Sequence, residues 1–169
     1  MTIWTILAGG AGLIALTAAG TLLLPRHVHV ERQATIAAAP ADVLALAASN
    51  TGYQAFNPYQ TTDPNLKIDT FGPDAGVGSG FAFEGRDGKG TQVVAEVSDA
   101  AVRYEIDLGP MGKPTQMIHT AAVADGTRVT WSMDADMGFN PVGRVMGLFM
   151  DGMIGKTFEQ GLGNLAKAI

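Results

Sequence analysis

The sequence predicts an α+β domain: a curved antiparallel sheet wrapped around one long C-terminal helix, with a single transmembrane helix in front. Three observations lead there. From Leu66 to Asp136 apolar and polar residues alternate with the period of a strand. From Pro141 to the C-terminus the spacing changes to that of a helix. Thr2 to Leu24 carries no charged side chain and is long enough to cross a hydrocarbon core as a helix. No strand–helix–strand spacing interrupts the β region, so the strands form a meander with helices before and after it.

At 169 residues the chain fits one modest domain behind its anchor, with boundaries at 1–25 and 26–169. A net charge of −5 and the lack of any Lys/Arg cluster leave no surface for a phosphate backbone, which disfavours nucleic acid as a partner. With no cysteine there are neither disulfides nor thiolate chemistry.

The first segment reads as an uncleaved anchor. It has no basic n-region, its apolar run is long for a signal peptide, and Leu22-Leu23-Leu24 follows the small residues instead of preceding them. Ala8, Gly12, Ala15 and Ala19 fall on related sides of this helix as small-xxx-small pairs, a face on which helices of a membrane complex could pack; Ala and Gly are also common in membrane helices for other reasons. Arg26, His27, His29 and Arg32 follow the span against Glu31 alone, which by the positive-inside rule puts the domain on the cytoplasmic side.

Pro25 ends the anchor, and Val28, Val30, Ala34 and Ile36 alternate with polar residues as a first strand close to the bilayer. Ala39-Pro40-Ala41-Asp42 opens a helix with Pro near N1 and an acid in the first turn; Asn50-Thr51-Gly52 stops it. Tyr53, Phe56, Pro58 and Tyr59 then form an aromatic turn or short second helix. In the meander, Phe81 and Phe83, then Val93, Ala95 and Val97, then Tyr104, Ile106 and Leu108, then Val129, Trp131 and Met133 form the apolar face. Asp87-Gly88 and Asp125-Gly126 are type I′ hairpin signals. In the terminal helix Val142, Val145, Met146, Phe149, Met150 and Met153 share one side opposite Arg144 and Asp151, whereas Phe158, Leu162, Leu165 and Ile169 define a rotated one. Gly152 and Gly155 lie at the change and Thr157-Phe158-Glu159-Gln160 has capping-box form, so a break is expected near Gly152–Gly155.

Motifs for chemistry are sparse. Gly76-Val77-Gly78-Ser79-Gly80 is followed by strand-patterned Phe81-Ala82-Phe83-Glu84, whereas a phosphate loop must open a helix; the glycines suit a turn and a bulge. His27, His29 and His119 are scattered and have no cysteine beside them, so no metal is implied. Nothing in the chain asks for a cofactor. What remains is a lipophilic lining: Phe56, Phe81, Phe83, Tyr104, Ile118, Trp131 and Met133 from the sheet side, with Met146, Phe149, Met150 and Met153 from the helix. The same residues could equally fill an ordinary core.

The segments IAAAPADVLAL, YQAFNPY, GVGSGFAFEG, TRVTWSMDADM and MDGMIGKTFEQGLGNL, in that order over Val28 to Ile169, resemble the SRPBCC superfamily. This is the helix-grip group with START lipid-transfer domains, polyketide cyclases/dehydrases and coenzyme-Q-binding proteins, and the chain resembles its membrane-anchored bacterial members. The resemblance implies a helix-grip fold with a hydrophobic small molecule, a lipid, isoprenoid or quinone-like compound, held between sheet and helix at the bacterial inner membrane. It supplies no catalytic residue. The alternatives are an accessory or assembly subunit of a membrane complex, and a cyclase/dehydrase-type enzyme with Tyr104 and Asp134 as the polar groups to consider.

Overall fold

The computed structural model describes residues 20–169. The proposed packing residues Ala8, Gly12, Ala15 and Ala19, and most of the 1–25 anchor, lie outside them. Among the described residues no helix is long and apolar enough to cross a membrane.

Seven strands form one antiparallel sheet: β1 (His27–Ile36), β2 (Lys67–Phe71), β3 (Gly80–Gly85), β4 (Gly88–Val97), β5 (Ala101–Asp107), β6 (Thr115–Val123) and β7 (Gly126–Asp136). Their order is β1-β7-β6-β5-β4-β3-β2, a meander whose last strand pairs with the first. Between β1 and β2 come α1 (Pro40–Ala47), α2 (Asn50–Phe56) and α3 (Pro58–Thr62); α4 (Pro141–Ala168) ends the chain. Ser49 and Asn57 cap α2 and α3 by accepting from Gly52 N and Tyr59 N, and Asn140 caps α4 by accepting from Val142 N and Gly143 N. α4 lies against β1 and touches α2 and α3, which makes this a helix-grip arrangement.

Three sequence expectations need correction. The hairpin tips are Arg86-Asp87 and Ala124-Asp125, because Gly85 pairs with Gly88 and Val123 with Gly126. No described non-glycine residue has positive φ, which excludes type I′ turns at Asp-Gly; Gly88 and Gly126, at φ 136° and 134°, instead begin the return strands. In β4 the inward residues are Gln92 and Val94, not Val93, Ala95 and Val97. Valines stand in both phases of this strand, so alternation alone could not choose, and the register shift at Ala95 lets the outer part of the strand twist away.

The third concerns α4, which is one continuous helix with no break at Gly152–Gly155. Its first half is also turned the other way. Arg144 is buried, while Val142, Met146, Leu148, Phe149 and Met153 are exposed. The glycines explain both facts. A Cβ at Gly147 would stand 2.8 Å from Val28 Cγ2, and one at Gly155 would collide with the Arg32 guanidinium. The glycine side of the helix therefore faces β1. There Arg32 donates from Nε to Glu159 (2.9 Å) and from Nη1 and Nη2 to the Asp151 carboxylate (2.9 and 3.1 Å). Arg144 donates to the carbonyls of Leu22, Leu24 and Gly138, pinning the end of the N-terminal segment to the start of α4. Thr157 Oγ1 donates to Met153 O one turn back instead of capping a new helix. Without two buried faces to reconcile, no kink is required.

The core centres on Trp131. Its indole stacks on Phe158 at 4.9 Å between ring centroids, and the edges of Phe56 and Tyr53 meet it at 5.7 and 6.1 Å. Gly161 gives the helix backbone room to reach the same ring.

Gly161→Ala should destabilise the domain by about 1–3 kcal/mol in urea melts, since the methyl must displace a fully packed indole. Gly152→Ala and Gly163→Ala, which meet open space on a continuous helix, should instead stabilise it by up to about 1 kcal/mol each; a loss at Gly152 would restore the hinge. A pH effect follows from β1. The Asp134 carboxylate, 2.7 Å from His29 Nδ1, raises the His29 pKa; burial opposes it as the next largest effect, and Glu31 adds the least. A raised folded-state pKa stabilises fully below the ordinary histidine value of about 6.5 and ceases to do so as pH rises through the folded value. Melting temperature should therefore drift down above about pH 6.5, and His29→Asn should flatten that drift.

Candidate ligand cavity

A cavity of about 260 Å³ opens between the β3–β5 part of the sheet and the helices. Three inward phases of the sheet make its floor: Phe81 and Phe83 of β3, Gln92 and Ile106 of β4 and β5, and Gln116 and Met133 of β6 and β7. Tyr53 of α2, Tyr59 of α3 and Met150 and Ile154 of α4 cover it. At the rim stand Asp63, the β3–β4 hairpin with Asp87 and Lys89, and Met111.

Of the lining residues expected from sequence, Phe81, Phe83, Met133 and Met150 meet at this cavity. Phe56, Tyr104, Ile118 and Trp131 are in the solid core. Met146, Phe149 and Met153 stand on the outward side of α4, because the glycine side faces β1. The cavity is thus displaced from the position where the sequence put it: Trp131 and Phe158 fill the gap between β7 and α4 that a ligand could otherwise occupy.

Sequence reasoning missed Tyr59, Ile68, Gln92, Ile106, Gln116 and Ile154. Gln116 was accessible to it, since it lies two residues before Ile118 and must share its face. Gln92 was hidden by the phase ambiguity of β4.

Neutral phenols and amides lie inside the cavity, and its charged groups stand at the rim. Burial raises the Tyr53 phenol, with the Gln92 side chain opposing it, and burial followed by the charge of Asp87 raises Tyr59, so both remain protonated at neutral pH. Asp63 is held below the usual carboxylate range by hydrogen bonds from Arg86 N and Asn65 N, and remains an anion occupied at the rim. Neither polar group considered for catalysis reaches the space. Tyr104 donates to Ala47 O at 2.7 Å in the core, and Asp134 is exposed and paired with His29. Two lining amides have a fixed orientation: Asn57 accepts from Tyr59 N and donates to Gln54, and Gln116 Oε1 accepts from Trp131 Nε1 at 3.0 Å.

The lining can desolvate an apolar molecule and offer it neutral hydrogen-bonding groups, with the charged residues Asp63, Asp87 and Lys89 at its rim.

Solved structures share this architecture at low sequence identity. Truncated norcoclaurine synthase from Thalictrum flavum superposes with a TM-score of 0.63 at 16% identity, over 83% of this chain and 92% of that one. A protein of Chromobacterium violaceum gives 0.59 at 16% identity over 83% and 96%. The di-domain ARO/CYC protein StfQ of steffimycin biosynthesis gives 0.61 at 14% identity over 84% of this chain, which spans only 50% of that one. These likenesses establish the fold alone. A search of curated protein sequences returns no match. The family model described as polyketide cyclase / dehydrase and lipid transport matches residues 27–169, from the first residue of β1 to the C-terminus, and the chain therefore belongs to that family, within the SRPBCC helix-grip superfamily.

Proposed function

We propose that this protein is a membrane-tethered carrier or sensor domain that binds a neutral hydrophobic molecule, a lipid, isoprenoid or quinone-like compound, without chemically changing it. The observation that carries this reading is the cavity, with its mainly aromatic and aliphatic lining and its charged residues, Asp63, Asp87 and Lys89, at the rim. Binding would consist of desolvating the guest against Phe81, Phe83, Ile106 and Met133. A cyclase/dehydrase-type reaction fits the family description, but the carboxylates of the lining, Asp63 and Asp87, stand at the rim, and Asp63 is engaged by the backbone N–H groups of Asn65 and Arg86.

The tether is supported by two features. Thr2 to Leu24 is free of charge, and the end of that segment is pinned by Arg144 beside the exposed apolar strip Val142, Met146, Phe149 and Met153. Such a strip suits a domain held against the inner membrane on its cytoplasmic side, its greasy helix face toward the lipid. The same strip favours the second reading, an accessory subunit whose anchor and α4 pack on the helices of a membrane complex.

Two measurements test these readings. Ile106→Trp fills the cavity and should reduce binding of the probe N-phenyl-1-naphthylamine by more than about tenfold, the scale of a few buried methylenes, while the thermal transition remains cooperative; unchanged binding would remove the cavity from consideration. Leu13→Arg puts a charge near the middle of the span, at a cost of about 2.5–3.5 kcal/mol, and should shift the protein from carbonate-washed membranes to the soluble fraction. A wild-type chain already found in the soluble fraction would end the tether proposal.

A further inference from the structure

The Trp131–Gln116 contact restricts what the cavity can recognise. The indole N–H can only donate, so the atom of Gln116 facing it at 3.0 Å must be the amide oxygen. Chemistry decides this orientation, whereas an amide among ambivalent hydroxyl groups could turn either way. Trp131 cannot rotate to release it, because its ring is stacked on Phe158 and bounded by Gly161 and Phe56. Gln116 lines the cavity, and its NH2 has no hydrogen-bond partner among the described residues.

We infer that Gln116 is a specificity-determining donor and that the preferred guest is an apolar molecule carrying a carbonyl-type acceptor, a ketone, ester or quinone oxygen. Such a guest satisfies the fixed amide N–H, whereas a plain hydrocarbon leaves it unpaired in a dry site. A guest whose polar group can only donate cannot pair with that N–H. Trp131 acts as the positioning residue, since it touches Gln116 and not the cavity. This inference rests on the cavity-binding reading and narrows it to one ligand class.

The test uses the full chain in nanodiscs and two pairs of flat probes, 1,4-naphthoquinone with naphthalene and indole with indene. Bound probe is measured by equilibrium dialysis against empty nanodiscs. Comparing the affinity ratio within each pair between wild type and variant cancels differences in partitioning and in general pocket shape. Gln116→Leu should lower the naphthoquinone/naphthalene ratio about fivefold, the size of one hydrogen bond, and leave the indole/indene ratio unchanged. Because Gln116→Leu strands the indole N–H, the double variant Trp131→Phe with Gln116→Leu removes both polar partners together and should show the same fall with no N–H left unpaired. A naphthoquinone ratio that does not move in the folded variants, or an indole ratio that falls with it, overturns the assignment of Gln116 as a directed donor. Failure of wild type to take up naphthalene at all would instead overturn the cavity reading, and the inference with it.

Discussion

The packing of Trp131 determines the rest of the interior. Its indole joins the last strand to the terminal helix through Phe158 and Gly161, meets the aromatic turn through Phe56 and Tyr53, and reaches β6 through Gln116. A residue of that size, wholly buried, makes the β7 side of the helix-grip arrangement solid. The larger space lies beyond it, toward β3 to β5. The same ring that closes one part of the interior orients the amide that faces the other.

The helix is held to the sheet by charge as well as packing. Arg32 reaches from β1 across Gly155 to two carboxylates one helical face apart, and Arg144 ties α4 to the carbonyls that end the N-terminal segment. The Asp151 and Glu159 side chains are largely exposed, so the pairs contribute more to orientation than to stability. Orientation is the functional point. By turning Gly147, Gly155 and Arg144 inward, α4 presents Met146, Phe149 and Met153 outward, where they do not line the cavity.

The pocket combines protonated phenols and side-chain amides with a mainly aromatic and aliphatic lining. Two of the solved structures sharing the fold carry names of enzymes, a synthase and an ARO/CYC protein, yet a shared scaffold at 14–16% identity transfers no chemistry. Here the polar groups that sequence reasoning put forward for catalysis are used elsewhere, Tyr104 in bracing α1 and Asp134 in pairing with His29.

Local pattern determined much of this protein. Period-two alternation gave away the strands, Pro40 and the Asn50 region bounded the first helix, and the order of elements with its family segments pointed to the helix-grip scaffold. Phase and facing were decided only in three dimensions. Gln92 and Val94 turn inward because they pair with the inward Ile106 and Tyr104 of β5, a non-local condition invisible in a strand with valines on both sides. The apolar stripe of α4 turns outward because close approach to β1 is possible only along its glycines, and an amphipathic pattern reports which residues share a side, never which side the fold will bury.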